Sequence, residues 1–243
     1  MLRYFLTMAL ALVGASTSSA AINAGIEGDT FLVFIDGTAA DDAFDIWLAD
    51  KSDGDQFEEL RLHVWVNDDE EELFTVTPEM ADSIFVVVRG WQGDDTCDVI
   101  SWFVDHEDHF TVYFEGGSDN DTFDGQLTNV VCRVRGGDDD DVLMGGSNDD
   151  DLAGGDGFDV VSGGPGNDLL RGGYDDDQDV ISGDAGADTM GKEIFVPVQG
   201  RNGDYVYVLD HSENYQDYTP GEGDTIETFH YPLPRPSGGR RRR

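Results

Sequence analysis

Aspartate recurs at nine-residue intervals through the second half of the chain, at Asp141, Asp150, Asp159 and Asp168. It returns at Asp177 or Asp179, in a unit with two extra residues, and at Asp188. Each unit opens on glycine: Gly136, Gly145, Gly154, Gly163, Gly172 and Gly183. Each also carries an apolar residue just after the aspartate, at Leu143, Leu152, Val161, Leu170, Ile181 and Met190. A carboxylate is a hard, charged oxygen ligand, and a glycine-rich turn bends tightly enough to aim main-chain carbonyls at the same point. Carboxylate and carbonyl oxygens together make the donor set that suits Ca2+.

The rest of each unit must position those oxygens. Six turn residues with two glycines cannot pack a core, but the last three alternate sides and send one apolar side chain inward. Two units, 18 residues, make one full coil with a turn on each side. The fourth position is glycine in three units and Asp139, Asn148 and Asp175 in the others. Asp and Asn tolerate a left-handed backbone better than other side chains, so the turn is expected to persist there. A solvated acidic linker has no reason to place Leu, Val or Ile at every eighth position.

These units resemble the RTX, or hemolysin-type, calcium-binding nonapeptide G-G-x-G-x-D-x-U-x. The resemblance implies an all-β fold: a right-handed parallel β-roll, a calcium-stacked solenoid, with β-strand caps at both ends. It also implies several Ca2+ ions held between stacked turns. The signature extends upstream at wider spacing, in Gly116–Phe123 and Gly90–Cys97, with a weaker instance at Gly37–Phe44. Turns opening at 90, 116, 136, 154 and 172 are expected to stack down one side of the roll, and those at 145, 163 and 183 down the other. Ions would then lie between Asp95 and Asp121, Asp121 and Asp141, Asp141 and Asp159, and Asp159 and Asp179. On the opposite side they would lie between Asp150 and Asp168, and between Asp168 and Asp188.

Charge points the same way. The 243 residues carry 52 Asp and Glu against 14 Lys and Arg, a formal net charge of -38. Self-repulsion on that scale disfavours a compact state unless cations neutralise it, so folding and cation binding are expected to be one event. A polyanion lacks the basic footprint that nucleic acid requires.

Residues 1–20 have the layout of a secretory signal peptide: a positive start at Arg3, an apolar run from Tyr4 to Ala15, and small residues before Ala21. The run is too short for a membrane span, and no later segment is apolar enough for one. Many RTX proteins use a C-terminal export signal instead. Residues 21–89 read as a β-rich capping region, with a hairpin formed by Leu60–Val66, an acidic turn at Asn67–Glu72 and Leu73–Val76. Residues 90–191 read as the roll and 192–231 as a C-terminal β cap, with strands at Ile194–Val196 and Tyr205–Leu209 and a closing Gly221–Ile226 motif. Residues 232–243, ending in four arginines, read as a disordered basic tail.

Cys97 and Cys132 both take inward positions, and sequence leaves a disulfide and two buried thiols equally open. His106-Glu107-Asp108-His109 lacks the second histidine of a zinc-protease motif, because Phe110 stands where it would be. No G-x-S-x-G elbow appears. Trp47, Trp65 and Trp102 read as core. The chain is therefore expected to be an exported calcium-binding module rather than an enzyme, meeting an unidentified extracellular or cell-surface partner. An RTX-type hydrolase with its site in 28–130, or an adhesin, are the other readings.

Overall fold

The computed structural model describes residues 20–52, 57–67, 70–77, 83–102, 110–173, 178–195, 214–215 and 225–231. Strands at Ile194–Phe195 fall within this set. The motif residues Gly221–Asp224, the expected strand at Tyr205–Leu209, His106–His109 and the expected basic tail lie outside it.

Within the described residues every regular element is a strand. Two opening strands, β1 (Ala21–Glu27) and β2 (Thr30–Asp36), are followed by β3 (Ala43–Ser52), β4 (Phe57–Val66) and β5 (Glu70–Val76). Then come β6 (Ser83–Gln92), β7 (Thr96–Trp102), β8 (Phe110–Ser118), β9 (Thr122–Leu127) and β10 (Val131–Asp138). The repeat region supplies β11 (Val142–Met144), β12 (Asp151–Asp156), β13 (Val160–Ser162), β14 (Leu169–Gly173), β15 (Val180–Ser182) and β16 (Thr189–Phe195). Two further strands, β17 (Asn214–Tyr215) and β18 (Thr225–Tyr231), close the series.

From β6 onward the chain alternates between two sheets at every step, so each pair of strands is one coil. One sheet has the order β1-β2-β6-β8-β10-β12-β14-β16-β18 and the other β17-β15-β13-β11-β9-β7-β3-β4-β5. All successive coils pair in parallel, and the antiparallel pairs are confined to β1–β2, β3–β4 and β4–β5. The parallel stack reaches further upstream than the repeats suggest, because β2 and β3, inside the 21–89 segment, already pair in parallel with β6 and β7. The wider spacing of the upstream units does not interrupt it: β6 and β8 stay in register from Ile84↔Phe110 to Gln92↔Ser118. The hairpin of β4 and β5 forms as expected, but Glu70–Glu72 belong to its second strand and not to the turn.

The period-two alternation turns one side chain in two toward the space between the sheets. In register, the inward positions form continuous columns. One runs Ile35, Val88, Phe114, Val134, Leu152, Leu170, Met190. Its counterpart in the other sheet runs Phe44, Cys97, Phe123, Leu143, Val161, Ile181. All of these are buried, and the rings of Phe114 and Phe123 meet across the interior at 5.7 Å between centroids. The upstream strands are six to ten residues long and bring extra inward columns, such as Val33, Val86, Val112 and Cys132. The strands β11, β13 and β15 are three residues long and bring one inward residue each.

Two expectations need correction or completion. Trp47 is 43 % exposed on the outer face of its sheet, with Trp65 edge-on to it at 4.9 Å and His63 stacked on Trp65. Residues of that parity alternate with buried Ile46, Leu48, Val64 and Val66, so these rings face outward and are not core. Cys97 and Cys132 are free, buried thiols, and burial pushes both well above the ordinary thiol range.

Phe123→Ala is expected to destabilise the folded protein by about 3–5 kcal/mol, the usual loss for truncating a fully buried phenylalanine. Chemical denaturation in saturating Ca2+ reads this directly.

Candidate metal centre

Among the described residues nine aspartates are buried: Asp42, Asp95, Asp121, Asp141, Asp150, Asp159, Asp168, Asp179 and Asp188. Isolated charges are almost never buried in this way without partners. Parallel register explains how so many come together, because residues at the same point of successive coils must stack at about the 4.8 Å interstrand spacing.

The stacking places every expected pair of neighbours in contact. In the first column the amide of Asp95 donates to Asp121 Oδ1 at 2.9 Å, that of Asp121 to Asp141 Oδ1 at 2.8 Å, and that of Asp141 to Asp159 Oδ1 at 2.9 Å. Asp159 N–H then donates to Asp179 Oδ1 at 2.9 Å, so Asp179 and not Asp177 occupies the ladder position in the enlarged unit. In the second column Asp150 N–H donates to Asp168 Oδ1 and Asp168 N–H to Asp188 Oδ1, both at 2.8 Å. Each carboxylate thus reaches back into the turn of the preceding coil. Sequence reasoning treated the Gly37–Phe44 stretch as the weakest instance. The structure makes Asp42 the head of the first column, with its amide 2.7 Å from Asp95 Oδ1.

The second carboxylate oxygen of each unit points over the opening glycine. A Cβ on Gly90, Gly116, Gly136, Gly154, Gly163 or Gly172 would overlap Oδ2 of Asp95, Asp121, Asp141, Asp159, Asp168 or Asp179 respectively. The carbonyl of the next coil closes on the same point: Gly116 O lies 2.6 Å from where a Gly90 Cβ would stand. At Gly145 the corresponding oxygens are Gly163 O and Asp150 Oδ2. Glycine is therefore required because a side chain there would overlap the carboxylate and, at Gly90 and Gly145, a main-chain carbonyl of the next coil as well.

Oδ2 of Asp95, Asp121, Asp141 and Asp168 is fully buried and accepts no hydrogen bond. Burial, aggravated by neighbouring carboxylates, pushes Asp95 and Asp121 up to about 7 and Asp141 and Asp168 up to about 8. Asp150 rises to about 6, burial again leading, with N–H donors from Cys132 and Gly146 opposing. A carboxyl oxygen that is buried and unbonded, beside the space a glycine leaves, fits a hard cation. Among the described residues no three His, Cys, Asp or Glu side chains converge on one point, so a cation here would be held by at most two carboxylates, with main-chain oxygens completing the set.

At most of the turns the second residue carries a left-handed backbone, Gly146 and Gly173 being exceptions. Gly137 and Gly155 have φ of 142° and 146°, Trp91 has 85° and Asp184 has 63°. Trp91 therefore adopts the glycine conformation and keeps its place in the stack. At the fourth position Asp139 is left-handed as expected, with φ of 74°. Asn148 is not left-handed. Its turn is held another way, with Asn148 Oδ1 accepting from Asp149 N–H at 2.9 Å and Nδ2 donating to Asn129 O at 3.3 Å. Asp175 lies outside the described residues.

Two outcomes test this geometry. Gly154→Ala is expected to lower stability by about 1–3 kcal/mol, because the new methyl displaces the Asp159 carboxylate; thermal unfolding in Ca2+ measures it. The raised carboxyls also set a pH dependence. The cation-free folded state binds more protons than an unfolded chain whose aspartates titrate near the ordinary 3.8. Its stability is greatest in acid, falls as pH rises past about 4, and the loss is complete above about 8. In chelator, β structure by circular dichroism is expected to grow as pH is lowered from about 8 to 5. Ca2+ binding near neutral pH should release protons.

Comparison with known proteins bears on the repeats alone. No curated protein and no solved structure matches the chain. The four-copy model of the RTX calcium-binding nonapeptide repeat matches residues 133–161 and 153–190. The stacked turns from β10 to β16 are therefore RTX calcium-binding nonapeptide repeats.

Proposed function

We propose that this protein is an exported calcium-binding β-roll that folds when it meets Ca2+ outside the cytoplasm and then serves as a rigid structural or interaction module. The coil is right-handed in this reading, with antiparallel β1 and the β4–β5 hairpin capping one end. The observation that carries it is the set of buried Oδ2 atoms in the two columns, at Asp95, Asp121, Asp141 and Asp168, each without a hydrogen-bond donor and set beside a glycine. Gly136, Gly145, Gly154, Gly163 and Gly172 would supply the space and main-chain oxygens. Asp159, Asp179, Asp188 and Asp150 complete the ladders.

Each ion would neutralise two charges where the chain is most crowded, which ties compaction to binding. A cytoplasm poor in free Ca2+ would leave the repeats unfolded and fit for export, and the leader-like residues 1–20 supply a route. Extracellular calcium modules commonly work at about 10⁻⁴–10⁻³ M, which matches a switch thrown on exit. The space between the sheets is filled by apolar columns, which supports a scaffold over a catalytic cavity in the coil. The partner would be extracellular or on the cell surface, and the enzyme and adhesin readings have no comparable observation behind them.

Titrating residues 21–243 with Ca2+, with Mg2+ as control, tests the proposal by circular dichroism. A cooperative gain of β structure specific to Ca2+ is expected; a chain fully folded in chelator and indifferent to Ca2+ would overturn it. Asp141→Asn keeps shape but removes charge from the middle of the first column. It is expected to raise the Ca2+ midpoint by about 10-fold, equivalent to roughly 1.4 kcal/mol.

A further inference from the structure

Inside the first column each coil offers the next a fixed pair of main-chain contacts, the N–H and the C=O that flank the aspartate Cα. The aspartate N–H donates to the following Asp Oδ1, as Asp95 does to Asp121. The aspartate C=O accepts the N–H of the residue after the following Asp. Thr122 N–H donates to Asp95 O at 2.8 Å, Val142 to Asp121 O at 2.9 Å and Val160 to Asp141 O at 2.9 Å. Asp42 heads the column and has no coil in front of it.

Both contacts are nonetheless made there, and one side chain makes them. Asn67 Nδ2 donates to Asp42 Oδ1 at 2.6 Å, and Asn67 Oδ1 accepts the Ala43 N–H at 2.8 Å. A carboxamide carries the same donor and acceptor as a peptide, so it can occupy the place of the missing one. The antiparallel pairing of β3 with β4, with Phe44 opposite Val66, brings Asn67 beside Ala43. Asn67 N–H then donates to Ala43 O at 2.8 Å, with φ of 54° at Asn67.

The other oxygen of Asp42 is also provided for. Oδ2 accepts from Thr38 N–H at 2.6 Å and Thr38 Oγ1 at 2.9 Å. The equivalent oxygens of Asp95, Asp121, Asp141 and Asp168 accept nothing. The difference lies in the second residue of the turn, which is left-handed at Trp91, Gly117, Gly137 and Gly164 but not at Thr38, where β-branching disfavours that conformation. The head of the second column is closed in the same manner, by Gly146 N–H on Asp150 Oδ2 and Cys132 N–H on Asp150 Oδ1, both at 2.7 Å.

We propose that Asn67 stands in for a preceding coil and, with Thr38, closes the head of the aspartate column without a cation. The N-terminal coil then folds in the absence of Ca2+ and presents a finished edge on which the cation-dependent coils stack. The closure rests on hydrogen bonds in hand; the order of folding rests on the calcium reading of the downstream turns.

Hydrogen exchange by mass spectrometry on the full chain separates the two. In chelator, peptides covering 43–48, 62–66 and 84–88 should stay protected while 136–190 exchanges freely, and Ca2+ should protect 136–190. Asn67→Ala should speed exchange over 43–48 and 96–100 in chelator by about 10- to 100-fold, the effect of losing a charged hydrogen bond and its neighbour. Asn67→Asp should be at least as severe, because two carboxylates then face each other. The exchange of partners in D42N/N67D restores one N–H donor and one acceptor, and should recover protection. Wild-type exchange rates in N67A, an unprotected N-terminal coil in chelated wild type, or no recovery in the swap would each overturn the proposal. Should N67A not fold, recovery or its absence in the swap decides. Failure of Ca2+ to protect 136–190 in wild type would instead sink the calcium reading and leave the capping result standing.

Discussion

Parallel register stacks one carboxylate on the next, and the rest of this architecture answers that repulsion. Two like charges about 5 Å apart repel by roughly 3 kcal/mol at an effective dielectric of about 20, and burial adds a desolvation penalty to each. One oxygen of each pair is quieted by the amide of the preceding coil. The other, at Asp95, Asp121, Asp141 and Asp168, is left without a donor beside the opening glycine of its unit. In the calcium reading, protons would quiet that oxygen in acid and divalent cations would do so near neutrality.

The two halves of the coil meet the demand with different resources. Upstream strands of six to ten residues bury several inward columns, with Phe31, Val33 and Ile35 all from β2. In the repeats, β11, β13 and β15 bury one side chain each, Leu143, Val161 and Ile181. A unit that buries one side chain therefore has less apolar burial to set against the ordering of its backbone than an upstream coil that buries several. The closed turns at Asp42 and Asp150 sit where each column begins, so both start from satisfied oxygens.

Outside the coil the charge is managed by a few ion pairs. Asp151, on the outer face, has Arg171 at 3.0 Å and Arg135 at 3.3 Å. Exposed pairs of this kind contribute little individually, so they trim the surface field without replacing the cations of the columns.

The repeating Gly, Asp and apolar positions determined the strand period, the inward columns and the identity of the ladder neighbours, because a fixed repeat length in a parallel stack leaves one register. Local chemistry also sufficed for the left-handed turn at Asp139. Only the tertiary structure decided that the column starts at Asp42, that Trp91 accepts a glycine conformation, that Asn148 does not need one, and that Trp47 faces solvent. The partnership of Asn67 with Asp42 belongs to the same group. In each case the deciding contact joins residues from different coils or strands, 25 positions apart for Asn67 and Asp42. Sequence spacing encodes what one unit can do; which neighbour completes its hydrogen bonds is set when the coils stack.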